Sequence, residues 1–341
     1  MGDRIVFERD ANQEWIDALG MDDCTTTGTS FDTADVNNAT CLNPLDPDLS
    51  TIWTPSAYIL RYERKITAIS GNAITVDAPM VIAIDTQWGG GSIWKYTYDD
   101  RIEKCGVEDL YSDSDYVASD DEQHAYNLMS ISNIENAWVK NVTAIHFYHG
   151  VLWASAGSGF VTVTDSTSLD PVAIATGGRM YPFHITSAQL TLVMRCTSRN
   201  ARHDFVTAST SPGPNVFLDG DATLSKAEMG PHQRYATGTL YDDLTHSTVS
   251  GTNYDGVINR GNSGSGHGWA GAQQVFWNNV ADKIRIQRPP TGHNWAFGCR
   301  APSHDGDGEY FSWGTAVSPW SLYVQQLEDR LGAGAVANIG Y

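Results

Sequence analysis

The chain has 341 residues, enough for one large all-β domain or two ordinary ones. Its 32 glycines, 11 tryptophans and 15 tyrosines, beside only 18% charged residues, suit a strand- and turn-rich protein and exclude a helical bundle or a disordered chain. A net charge of −19 excludes nucleic acid and anionic membranes as main partners, and no apolar run approaches the length of a membrane span, so membrane insertion is excluded too.

Residues 1–100 read as an N-terminal β and loop region packed on the rest. "MGDRIVFERD" enters a strand pattern at once, which leaves room for earlier coils or for another chain at that end. "NQEWIDALGM" predicts a helix, and "KITAISGNAITVDAP" predicts a hairpin turning at Gly71-Asn72. Cys24 and Cys41 bracket a Thr- and Asp-rich loop without metal-type spacing, so a disulfide is expected there, with Cys105, Cys196 and Cys299 reduced and buried. The sequons at Asn38 and Asn141 fit a secreted, extracellular glycoprotein.

Residues 101–316 carry a repeat. "WVKNVTA" at Trp138, "VTVTDST" at Val161, "LVMRCTS" at Leu192, "VFLDGDA" at Val216, "TLYDDLT" at Thr239 and "VFWNNVA" at Val275 are short β-rich runs, each ending in a turn-forming residue. Steps near 23 residues, with longer ones at insertions, predict stacked coils of short parallel strands. Asn141, Asp165, Cys196, Gly220, Asp243 and Asn279 should then share one corner. The expected fold is all-β, a right-handed parallel β-helix. Residues 317–341 supply an amphipathic helix, started by Ser318 or Ser321 and ended by Gly332, expected to cap the last coil.

A second pattern runs through the coils. His149, His203, Gln233, His267 and His293 each precede a short strand, and Gly150, Asp204, Arg234, Gly268 and Asn294 follow them. Stacked coils would bring these into columns about 4.8 Å apart. Residues 1–194 hold 10 basic against 27 acidic side chains, whereas residues 195–300 hold 10 against 8. The motif therefore sits where the charge turns.

With "GPHQRYATGTLYD" from Gly230 and "GHGWAGAQQVFWN" from Gly266, the chain resembles the pectate-lyase-like superfamily of secreted β-helix proteins, in particular bacterial members carrying these two motifs. That resemblance implies an acidic polysaccharide as partner. It implies a lyase, a hydrolase or a non-catalytic adhesive module. The calcium-binding Asp cluster and arginine base of pectate lyases have no matching motif here.

The residue types favour a uronate lyase. Arg234 and Arg260 can neutralise the sugar carboxylate, while His203, His232 or His267 can take the proton. Asp204 can orient a histidine or hold a metal. Tyr235, Trp269, His293, Asn294 and Trp295 offer flat or polar faces for sugar rings, with Tyr235 a second acid. A glycoside hydrolase needs two carboxylates flanking the bond, and no spacing singles out such a pair. Ser112–Glu122 is acidic enough to bind Ca²⁺ loosely but lacks the ligand spacing of an EF-hand, so a solvated loop is the preferred reading, and no metal can be named. Hydrolysis is second among the enzymatic options, and the second reading, from a different class, is a non-catalytic extracellular structural or adhesive module.

Overall fold

The computed structural model describes residues 2–22, 42–43, 46–50, 53–261 and 263–341. Cys24, Cys41 and Asn38, and with them the expected disulfide and one sequon, lie outside the described residues.

Near the N-terminus, the helix Gln13–Leu19 starts where Asn12 Oδ1 accepts from the backbone N–H of Trp15 (2.9 Å) and stops at Gly20, which takes the left-handed conformation. It buries Trp15, Ile16 and Leu19. Strands Leu60–Ser70, Arg4–Arg9, Gly91–Tyr96 and Ala73–Val76 form an antiparallel sheet whose hairpin pairs Ser70 with Ala73 across Gly71-Asn72, as the sequence predicts.

From Ile102 onward the pairing turns parallel. Ile134–Ile145, Gly159–Thr164, Gln189–Met194, Asn215–Leu218, Thr239–Asp242, Gln274–Trp277, Asn294–Phe297 and Glu309–Phe311 follow one another along one flank. After a corner, the second half of Ile134–Ile145 pairs with Thr167–Leu169, and Thr197–Arg199, Asp221–Ser225, Thr245–Thr248 and Val280–Ala281 follow, each paired with the one before. A third run joins Asn127–Ile131, Gly150–Ala154, Phe183–Thr186, Phe205–Ala208 and Gly230–Pro231. The protein is thus mostly β, with long parallel sheets consistent with a solenoid and small helices at the C-terminus.

The register aligns Trp138, Thr162, Leu192, Val216, Leu240 and Val275. The sequence repeat is therefore in place at four levels and one residue early at two. At the corner, Asn141, Asp165, Arg195, Asp219, Asp243 and Asn278 all have φ near +50°. Cys196, Gly220 and Asn279 stand one residue past it. The Cys196 and Asn279 side chains face inward: the Cys196 thiol donates to the Met194 carbonyl, and Asn279 Oδ1 accepts from Leu244 N (3.0 Å). Asn141, the second sequon, is exposed at the corner and its amide donates to Asp109 (2.6 Å).

Between the flanks, Phe183, Phe205, Phe217, Tyr241 and Phe276 stack with centroids 4.7–5.7 Å apart, all at most 1% exposed. Cys196 and Cys299 are buried as expected, and burial pushes both thiols up to about 12. Cys105 is exposed instead, because it lies on the first level of parallel strands among the described residues, where no other described strand covers it.

The C-terminal helix Leu322–Leu331 begins at Ser321 and ends at Gly332. It does not cover the last level. Val324 packs on Leu192, Met194 and Leu218 of the first flank, and Asp242 accepts from Ser321 Oγ (2.8 Å) and Tyr323 N (2.8 Å). That buried carboxylate anchors the helix start to the side of the stack.

Candidate functional site

The third run of strands carries an open cleft of about 640 Å³. Its walls are Trp153, Tyr181, His184, Arg202, Gln233 and Arg260, with His232, His267 and the Ser263–Ser265 turn beside them. No carboxylate lines it among the described residues.

The strands explain why these side chains meet. Trp153 and His184 are register partners on adjacent levels, with ring centroids 4.3 Å apart. Tyr181 leads into the same strand as His184 and lies 4.9 Å from the His203 ring and 5.4 Å from His232. His232 follows the two-residue strand Gly230–Pro231, where Gly230 is required because a Cβ would stand 2.1 Å from the Gly256 carbonyl. His203 and His232 are 4.5 Å apart, and His232 and His267 4.8 Å. The Ser263–Gly266 turn brings His267 in. Gly264 passes directly over its ring, and a Cβ there would lie 2.1 Å from Cε1.

Hydrogen bonds assign the tautomers. His203 Nδ1 donates to the Glu228 carbonyl (2.7 Å). His232 Nε2 lies 3.1 Å from both Tyr181 Oη and His267 Nε2, while its Nδ1 faces Glu228 Oε1 at 3.8 Å. Glu228 is in turn ion-paired with Arg260. Burial holds every ring neutral near pH 7: His149 falls to about 4, His184 and His232 to about 3, His267 to about 2, and His203 well below its ordinary value.

His203, His232, His267 and Arg260 therefore meet in one cluster, with His203 beneath His232 rather than in the wall; His203 and His267 hold the motif position, Gln233 holds it beside His232, and Arg260 lies outside the motif. The other candidates are placed differently. Asp204 is fully buried and turned inward: it accepts from Ser198 (2.5 Å) and faces His246 (3.9 Å), which is paired with Asp255 (2.5 Å). Arg234 lies outside the wall, where Nη2 donates to the Ser265 carbonyl (2.8 Å) and hydroxyl (2.6 Å) and so holds the turn that carries His267. Tyr235 and Trp269 are core residues, packed with Trp15, Trp53 and Leu60 of the N-terminal region. Trp15 meets Tyr235 edge-on at 4.9 Å, and Trp269 Nε1 donates to the Leu19 carbonyl (3.0 Å). His293 stacks on Trp295 and pairs with Glu309 (2.7 Å), on the first flank. Asn294 is fully buried and bonds backbone groups at Gly271, Gln274 and Gln287. His149 stands next to Trp153 (5.0 Å) at the cluster's edge.

Tyr181, His184, Arg202, Trp153 and Glu228 are the members that the motif does not contain. A tyrosine or histidine one strand away from the motif position, as in Tyr181-Pro182-Phe183-His184, is the signal that could have found two of them.

Together, fold and site define a mostly β protein of stacked parallel strands with a cationic, aromatic and imidazole-lined cleft. Compared with known protein families, with curated proteins and with solved structures, the chain matches none.

Proposed function

We propose that the chain is a secreted right-handed parallel β-helix protein that binds an acidic polysaccharide in this cleft and cleaves it by β-elimination. One observation carries the reading. In a chain of net charge −19, the cleft is lined by Arg202 and Arg260 with histidines, Trp153 and Tyr181, and by no carboxylate among the described residues. Such a lining suits an anionic sugar ring: guanidinium groups take the carboxylate and aromatic faces take the ring.

In the elimination, the C5 proton of a uronate leaves, the C4–oxygen bond breaks, and a C4–C5 double bond forms while the departing oxygen gains a proton. Arg202 and Arg260 hold the carboxylate, which acidifies C5. Tyr181, bonded to His232 (3.1 Å) and accepting from Arg202 (3.3 Å), is the proton-handling group. Hydrolysis by paired carboxylates fits less well, since Glu228 is held by Arg260 and Asp204 faces the core. A non-catalytic glycan-binding module is the second reading, favoured by the burial of His203, which leaves that ring beyond a ligand's reach.

A panel of uronate polysaccharides, followed by the ultraviolet absorbance of the unsaturated product, tests the reading. Tyr181→Phe should lose roughly 10²–10⁴-fold in turnover with binding kept, and Arg202→Ala should weaken binding. Binding without product selects the module. If no uronate polymer either binds or reacts, the proposal fails.

A further inference from the structure

The floor of the cleft has a geometry that glycan binding does not require. His232 Nε2 and His267 Nε2 stand 3.1 Å apart, and Tyr181 Oη is 3.1 Å from His232 Nε2. Zinc–nitrogen bonds of about 2.0–2.1 Å at tetrahedral angles place ligand nitrogens roughly 3.3 Å apart. We propose that His232 Nε2, His267 Nε2 and Tyr181 Oη hold a divalent transition-metal ion of the zinc class, with its remaining position open to the cleft.

Two further observations support that site. First, Glu228 faces the other nitrogen of His232, Nδ1, at 3.8 Å. At that distance the contact is electrostatic rather than a hydrogen bond, and it favours the proton on the rear nitrogen and the lone pair forward. Second, His184 lines the same cleft, is only 3% exposed, and neither of its ring nitrogens has a hydrogen-bond partner in the protein. His267 Nδ1 and His203 Nε2 are likewise buried and unpartnered. Buried polar groups of this kind ordinarily serve a water or an ion.

Nitrogen donors select zinc-class ions over Ca²⁺ or Mg²⁺, which take oxygen. A rival set lies close by: one ligand atom each of His203, Glu228 and His232 within 4.8 Å of one another. A cation there would have to displace two contacts, the bond from His203 Nδ1 to the Glu228 carbonyl and the Arg260–Glu228 ion pair. An ion at the forward site leaves both in place and takes over instead the contacts of His232 Nε2 with Tyr181 Oη and His267 Nε2, with the Arg202 guanidinium beside Tyr181 Oη (3.3 Å).

The proposal does not depend on the lyase reading, and its test uses no glycan. Zn²⁺ is titrated calorimetrically into the chelator-treated full chain, and Co²⁺ is followed by its visible absorption. The expected result is one ion per chain, with affinity at least about tenfold weaker in His267→Ala and in His232→Ala and unchanged in His293→Ala. Circular dichroism reports whether each variant folds; if His232→Ala does not, His267→Ala decides. Absence of binding by the wild-type chain would overturn the proposal. So would binding that survives His267→Ala but is lost in Glu228→Gln, which would move the ion to the rival set. Metal binding without glycan turnover leaves the site standing and removes the lyase reading. Turnover in a chain that binds no metal does the reverse.

Discussion

At the scale of single residues, the cleft is built from groups whose charge state folding changes. His149, His184, His203, His232 and His267 are all held below their ordinary value by burial, with Arg202 and Arg260 adding to the effect on His203 and His267. The unfolded chain therefore binds more protons than the native one once the pH falls below about 6.5. Stability from these rings is present above that value and drains as the pH falls, at about 1.4 kcal/mol per group and pH unit. His246 opposes this. Burial lowers it, but Asp255 and Asp204 raise it further, so its contribution is present below about 6.5 and lost at higher pH. Burial also raises Asp242, to about 6, and Asp243 and Asp255, which take up protons in the native state as the pH falls; the five imidazoles outnumber these four opposing groups and set the sign. Urea melts of the metal-free chain should show stability falling steeply from about pH 7 to pH 5, and His184→Phe should make that slope shallower. A flat profile would mean that the rings are protonated in the native state. The reading of the sequence reaches part of this cluster, because His203 and His267 recur ahead of short strands, with Gln233, the neighbour of His232, at the same motif position. It misassigns Asp204, Tyr235 and Trp269 to the ligand side, since successive side chains in and around a strand point to opposite faces and a slip of one residue exchanges wall for core.

At the scale of elements, the two motifs that drew attention in the sequence are a joint as much as a site. In "GHGWAGA", His267 enters the cleft, whereas Trp269 enters the N-terminal core and Gly268 lies against Trp53 and Met21. In "GPHQRYATG", His232 faces the cleft, Arg234 holds the neighbouring turn and Tyr235 meets Trp15. Each motif thus joins the N-terminal helix to the cleft through the same few residues. Gly268 has φ +57°, and a Cβ on it would stand 2.5 Å from Trp53 and 2.6 Å from Met21 Sδ. Gly268→Ala should accordingly destabilise the chain by roughly 1–3 kcal/mol. It should also raise hydrogen exchange in the Gln13–Leu19 helix before the parallel strands respond. Uniform exchange over the whole chain would mean that the N-terminal region is no separate cooperative unit. Repeat spacing was legible because each level repeats one inward apolar residue, Val139, Val163, Val193, Phe217, Tyr241 and Phe276 in turn, and one corner residue. The C-terminal helix was legible as a helix, but not in place. Its position depends on the buried Asp242, eighty residues earlier in the chain, which no local pattern reports.

At the scale of the whole molecule, charge and site oppose each other. The chain carries −19 overall, and the acidic excess lies in residues 1–194, while the cleft wall presents arginine and no carboxylate among the described residues. A long polyuronate approaching the protein meets the field of the whole molecule first, and that field is repulsive. A short uronate oligomer that fits the cleft feels chiefly Arg202 and Arg260. Salt separates the two effects, because the screening length shrinks from about 30 Å at 0.01 M to about 10 Å at 0.1 M. Between those concentrations the long-range repulsion is removed, whereas contacts within a few ångströms are weakened much less. The association rate of a long polyuronate should therefore rise with salt over this range, and the affinity of a dimer or trimer should fall modestly. Stopped-flow fluorescence from the cleft tryptophan, Trp153, reads the first and calorimetry the second. If the polymer's rate falls with salt as steeply as the oligomer's affinity, the cleft dominates the field at a distance and the global charge plays no part in approach.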